Sequence, residues 1–211
     1  MRLVTPALGA LSVVLLVTMS SGCEKSRPVA TGTAPVLGSP RYELRDAATG
    51  RYRVLLRQAA RSLNGGRYYC QLHPPDLPGH ETIVTDSATG RRLRAEIVDS
   101  RGARACGMTM DGPASWLRVE LPRDLPQDEW LPLLIDSEVR NPEVFHQRGD
   151  TLEFTQWAAM SGDYVILPPG YAPVPSGNVT RVDTLPDHRI ALRISQITAI
   201  PTRLEVRAVR R

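Results

Sequence analysis

Four histidines, three cysteines and a spread of acids are the residues of this chain whose types could do chemistry. His73, Asp76, His80 and Glu81 fall together in one proline-rich stretch, and imidazole and carboxylate groups are ordinary ligands of a divalent metal. A zinc site needs three or four such groups in a fixed geometry. Neither a His-Glu-x-x-His helix nor paired Cys-x-x-Cys spacing is present. Pro74, Pro75 and Pro78 stiffen the stretch, so no metal is assigned and no cofactor is expected. Cys70 and His73 offer a thiolate and a base. They stand three apart in an alternating segment, so their side chains point to opposite faces and out of mutual reach. No Gly-x-Ser-x-Gly elbow marks a serine nucleophile, and Ser161-Gly162-Asp163 reads as a turn. No glycine-rich phosphate or dinucleotide loop occurs. An envelope hydrolase built from distant acids stays open, because such pairs are invisible without a fold.

Aromatic placement gives a different hint. Trp116 stands opposite Leu117, Val119 and Leu121 in an alternating run, together with Arg118 and Glu120. Tyr69 stands opposite Tyr68, Cys70 and Leu72, and Trp157 is out of phase with Leu152 and Phe154. Outward aromatics on a sheet stack on sugars or anchor a protein partner. The same positions can instead bury against a helix, a second sheet or the other half of the chain.

The elements that must position these residues are mostly strands. Period-two patterns run through Arg67–His73, Arg92–Val98 and Trp116–Leu121, with turn sequences such as Asp99-Ser100-Arg101-Gly102 and Asp111-Gly112-Pro113 between them. Further candidates are Leu131–Val139, Thr151–Trp157, Asp163–Leu167, Val179–Asp183, Arg189–Ser195 and Arg203–Val209. One segment reads differently. Over Arg51–Leu63, Tyr52, Leu55, Leu56, Ala59, Ala60 and Leu63 recur at helical spacing with Arg53, Arg57 and Arg61 opposite, which predicts an amphipathic helix. Asp46-Ala47-Ala48-Thr49-Gly50-Arg51 resembles Asp86-Ser87-Ala88-Thr89-Gly90-Arg91. The flanks do not match, so this is shared turn chemistry rather than a repeat. Arg148-Gly149-Asp150 likewise reads as a hairpin turn. The expected fold is mainly β, antiparallel and sandwich-like, with one N-terminal amphipathic helix. The proline-rich, acidic stretch Pro122–Pro132 is either a boundary between two small β-units or a long crossover in one larger sandwich.

The chain has 211 residues, 42% of them hydrophobic, enough for one ordinary domain or two small ones. Its formal net charge is +4, and every positive side chain but Lys25 is arginine. The arginines run from Arg2 to Arg211 with acids among them, so the clustered patch that nucleic-acid binding requires is missing, and no nucleic-acid partner is expected.

At the amino terminus, Arg2 precedes an uncharged apolar run from Ala7 to Val17, too short to span a bilayer but suited to an export signal. Ser20-Ser21-Gly22-Cys23 follows. This tetrapeptide resembles the lipobox of bacterial lipoproteins, although Ser20 stands where leucine is usual. The resemblance covers only this segment. It implies cleavage after Gly22, diacylglycerol on the Cys23 sulfur and acylation of the new amino group. Two or three acyl chains hold a protein stably on a membrane. Glu24 in place of the aspartate that favours inner-membrane retention implies the outer membrane in a Gram-negative host. Export also means an oxidising compartment. With lipid on Cys23, Cys70 and Cys106 form an even pair, and a disulfide between them is expected. The expected organisation is a signal peptide over 1–22 and a lipidated cysteine with a flexible tether over 23–40. A helix plus β-meander unit then spans 41–125, and a second β-unit 126–211. A membrane-anchored scaffold for another envelope protein is the leading expectation. The alternatives are a glycan-binding module, with Tyr69, Trp116 and Trp157 as contacts, and the hydrolase.

Overall fold

The computed structural model describes residues 40–73, 81–109, 112–158, 164–176, 179–194 and 202–211. The signal segment, Cys23, most of the tether, Asp76 and His80 lie outside the described residues. In chain order the strands are β1 (Arg41–Asp46), β2 (Arg51–Ala60), β3 (Tyr68–His73), β4 (Thr82–Asp86), β5 (Arg92–Leu93), β6 (Ala95–Val98), β7 (Ser115–Glu120) and β8 (Leu131–Arg140). They continue as β9 (Phe145–Arg148), β10 (Thr151–Ala158), β11 (Tyr164–Ile166), β12 (Tyr171–Pro173), β13 (Val179–Thr184), β14 (Ile190–Ile194) and β15 (Thr202–Arg210). A short 3-10 helix, Gly102–Cys106, sits between β6 and β7.

The protein is mainly β and sandwich-like, as expected. A main sheet has the order β13-β14-β11-β1-β2-β8-β4-β5, a second sheet β12-β15-β10-β9, and a third β3-β7-β6. All described pairings are antiparallel except that of β1 with β11. One face of the main sheet carries the core. Toward β14, Tyr42, Tyr52, Val139, Val165 and Leu192 pack on Phe145, Leu152, Phe154, Leu204 and Val206 of the second sheet. Toward β5, Ala60, Val84, Leu93, Leu133 and Ile135 pack on Tyr69, Leu117 and Val119 of the third. The alternation of Ile190, Leu192 and Ile194, and of Leu204, Val206 and Ala208, is the buried face that the pattern implies.

Two expectations are corrected. Arg51–Leu63 holds no helix: its first ten residues are β2, paired with β1 on one side and β8 on the other. The segment satisfies both periods, since Tyr52, Val54, Leu56 and Ala60 also alternate with Arg51, Arg53 and Arg57. Neighbouring strands with acids opposite the arginines decide the matter. The division into 41–125 and 126–211 also fails, because β2 pairs with β8 along its whole length and β1 with β11. The stretch Pro122–Pro132 is a crossover, held by buried Leu121 and Leu125. A smaller difference concerns Arg92–Val98. Expected as one strand, it breaks at Arg94 and gives β5 to the main sheet and β6 to the third.

The two matching hexapeptides build matching turns. Asp46 accepts the Ala48 N–H at 3.1 Å and the Thr49 hydroxyl at 2.7 Å. Asp86 accepts the Ala88 N–H at 2.9 Å and the Thr89 hydroxyl at 2.8 Å. Each turn ends on a left-handed glycine, Gly50 and Gly90.

Candidate functional site

Side chains alternate along a strand, so Arg51, Arg53, Leu55 and Arg57 of β2 share the face turned away from the core. The first two arginines meet acids. Arg53 donates through Nε and Nη2 to both Asp136 oxygens, at 2.7 and 2.6 Å, and its Nη1 lies 3.5 Å from Glu43. Arg51 lies 3.5 Å from Glu138, which also accepts from Arg45 at 2.8 Å. Glu43 is buried, and Arg41 approaches it at 2.8 Å. The fork to Asp136 holds the Arg53 guanidinium above its usual range, against the opposing effect of burial.

Farther along the same face the pattern changes. Arg57 pairs with Leu134, Leu134 with Thr85, and Thr85 with Arg92. Residues directly opposite one another project to the same side, so these four form one transverse row. Neither Arg57 nor Arg92 has a carboxylate or hydrogen-bond partner among the described residues. A cavity of about 420 Å³ opens at this row, with Arg57, Ala59, Thr85, Ser87, Pro132 and Leu134 among its walls. Asp86 also reaches the cavity but is held by its own turn. Burial pushes its carboxyl up, and the hydrogen bonds from Thr89 and Ala88 outweigh this and keep it below the ordinary carboxylate range. The lining holds a serine and a committed acid but no histidine, so it supplies a cation and hydroxyls rather than an acid–base pair.

The residues singled out by sequence fall elsewhere. Cys70 and Cys106 form the expected disulfide, with Cα atoms 5.8 Å apart. Tyr69 and Trp116 are not outward contacts: they are 8% and 2% exposed. The cause is that the third sheet is covered on both faces. Tyr69 lies between it and the main sheet, where Gln58 donates to its hydroxyl. Burial pushes the Tyr69 phenol up to about 12. Trp116 lies with Cys70, Ala103 and Cys106 under the 3-10 helix that the disulfide ties down. Trp157 lies in β10, in register with Arg203 of β15. Among the described residues no three or more His, Cys, Asp or Glu groups come together as a metal would require.

Among the described residues, the aromatic with a clearly exposed side chain is Trp130, 40% exposed in the crossover before β8. The Arg61 guanidinium stands 5.5 Å from its ring centroid, and Arg61 Nε donates to the Gln127 carbonyl. Gln127 in turn donates to the Leu63 carbonyl at 2.7 Å, and the Leu63 side chain is 53% exposed. Alternation could not find Trp130, which precedes its strand. The usable signal was a tryptophan in a proline-rich, acidic connection, where no sheet face exists to bury it. The cavity was equally hidden, since it depends on which strands become neighbours.

No protein-family model matches the chain, and no curated protein does. Among solved structures, the chain is similar to a mutant M1 zinc metallopeptidase from Deinococcus radiodurans bound to a Tyr-Ser-Ala substrate. That likeness has 13% identity and a TM-score of 0.42, over 82% of this chain and 42% of that one. A second structure of the mutant enzyme gives 15% identity and a TM-score of 0.39 over the same shares. The chain therefore spans less than half the length of these structures.

Proposed function

We propose that this chain is a lipid-anchored cell-envelope protein whose β-domain holds a partner. The observation that carries the reading is the Cys70–Cys106 disulfide. It fits an exported protein, and it leaves Cys23 as the cysteine without a partner, at the end of the lipobox-like Ser20-Ser21-Gly22-Cys23. Lipid on Cys23 would place the domain on a tether at the membrane, in a Gram-negative host at the outer membrane. Trp130 with Arg61 and Leu63 supports the partner-holding role, because exposed Trp and Arg are typical anchors of protein interfaces. The partner is then another envelope protein. Glycan binding is the second reading; with Tyr69 and Trp116 enclosed, it rests on Trp157, the remaining expected contact, and on Trp130.

Fractionation and crosslinking test the proposal. Mature protein should show lipid on Cys23 by mass spectrometry, and Cys23→Ser should move to the soluble fraction. A photo-crosslinking amino acid at position 130 should capture one discrete envelope protein, while the same group at exposed position 104 should not. An unmodified Cys23 sinks the anchor. Failure to crosslink, together with indole fluorescence that shifts on titration with peptidoglycan fragments, replaces the protein partner by a glycan.

A further inference from the structure

The outer face of the main sheet holds the ingredients of a small-molecule site at the row of Arg57, Leu134, Thr85 and Arg92. On β2 the arginines of this face follow a rule that then lapses. Arg51 and Arg53 stand against Glu138 and Asp136, so their charge is neutralised within the sheet. Four residues after Arg53, Arg57 has Leu134 as its register partner and Pro132 on the diagonal that gives Arg51 and Arg53 their acids, and beyond it Arg92 has Thr85 opposite. Acids are replaced by an apolar residue and a hydroxyl where the cavity opens.

We infer that this cavity binds a small organic anion, an aliphatic or aromatic body carrying a phosphate group. The strand order β2-β8-β4-β5 separates Arg57 from Arg92 by three strand spacings, about 14 Å between main chains. Arg57 stands in the cavity wall; Arg92 lies outside that wall, one strand beyond Thr85, from where its long side chain can supply a second guanidinium to an anion held at the row. The guanidinium fork suits a phosphate in particular. Leu134, Pro132 and Ala59 give the body of the ligand an apolar floor, and Thr85 and Ser87 bring hydroxyl groups to the wall. The competing negative charge at the wall, Asp86, is turned inward by Ala88 and Thr89 and faces Arg91 as well. The volume of about 420 Å³ lies in the range of ligand pockets rather than of single-ion sites. The phosphate could belong to a free metabolite-sized ester or to a lipid headgroup.

Calorimetric titration of the full chain in neutral maltoside micelles with phenyl phosphate tests the inference. Binding in the millimolar range is expected, and Arg57→Gln/Arg92→Gln should weaken it about tenfold or more. Arg101→Gln/Arg104→Gln removes the same charge from an exposed turn elsewhere and should leave binding unchanged. Circular dichroism checks that each variant keeps its strand signal. Equal binding by Arg57→Gln/Arg92→Gln and the unaltered protein overturns the site. So does inorganic phosphate binding as tightly as phenyl phosphate, because the apolar floor would then contribute nothing. Phosphatidylglycerol vesicles that displace phenyl phosphate would identify the source as a headgroup, and vesicles that do not displace it would identify a soluble ester. The outcome is separate from that of the lipid anchor, since neither arginine bears on Cys23.

Discussion

Gly50 and Gly90 close turns of the same chemistry, yet their surroundings set them apart. Both are left-handed, with φ of 66° and 73°. A Cβ on Gly90 would meet nothing within 4 Å, so Gly90→Ala should cost only the conformational strain, about 1–2 kcal/mol. A Cβ on Gly50 would lie 2.4 Å from the Pro142 nitrogen and 2.6 Å from the Asn141 carbonyl carbon. These are main-chain atoms, and the Asn141 N–H donates to the Gly50 carbonyl at 2.9 Å, so neither side can retreat cheaply. Gly50→Ala should therefore lose at least about 2 kcal/mol more than Gly90→Ala in urea unfolding. Equal losses would show that the Asn141–Pro142 corner yields. The turn itself is legible from the repeated Asp-x-Ala-Thr-Gly-Arg, because its hydrogen bonds are local. The crowding at Gly50 is not, because it comes from the end of β8, ninety residues along the chain.

At the scale of elements, β2 is the instructive strand. Its arginines serve two purposes on one face, so substitutions two turns of the pleat apart should differ. Arg53→Ala removes the fork to Asp136 and one of the cations near buried Glu43, and should destabilise by about 1–3 kcal/mol. Arg57→Ala removes no described hydrogen bond or ion pair and should fall within about 0.5 kcal/mol of the unaltered protein. Parallel guanidinium unfolding curves measure both, and a large loss at Arg57 would mean that its charge has a structural partner. The same strand shows where sequence reading stops. Strands β14 and β15 are visible because, over Ile190–Ile194 and Leu204–Ala208, one face is wholly apolar and the other is not. In β2 the run Leu55-Leu56 and Ala59-Ala60 puts apolar residues on both faces, which imitates a helix. The acids of the neighbouring strands, Glu43 on β1 and Asp136 and Glu138 on β8, disclose the period-two reading. The enclosed Tyr69 and Trp116 follow the same logic: their alternation was legible, but the cover over the second face was not.

Across the whole molecule, the question is whether the third sheet is a separate attachment or part of one cooperative unit. Its strands hydrogen-bond only to one another among the described pairings, and the Cys70–Cys106 bridge lies entirely within it and its 3-10 helix. Packing argues for unity. Tyr69, Leu117 and Val119 of the third sheet share a core with Ala60, Val84, Leu133 and Ile135 of the main sheet. Releasing the third sheet would expose that face of β2, β4 and β8, and the other ends of β2 and β8 cover the second sheet. Cys70→Ser/Cys106→Ser should consequently lower stability by roughly 3–4 kcal/mol, the chain-entropy value for its loop. It should do so by shifting one unfolding transition rather than by creating an early second one. Near- and far-ultraviolet circular dichroism followed through the same denaturant series makes the distinction. Trp116 packs against the bridge, so its near-ultraviolet signal should vanish together with the strand signal. A tryptophan signal that is lost first, while the strand signal of the main sheet persists, would show that the third sheet opens alone.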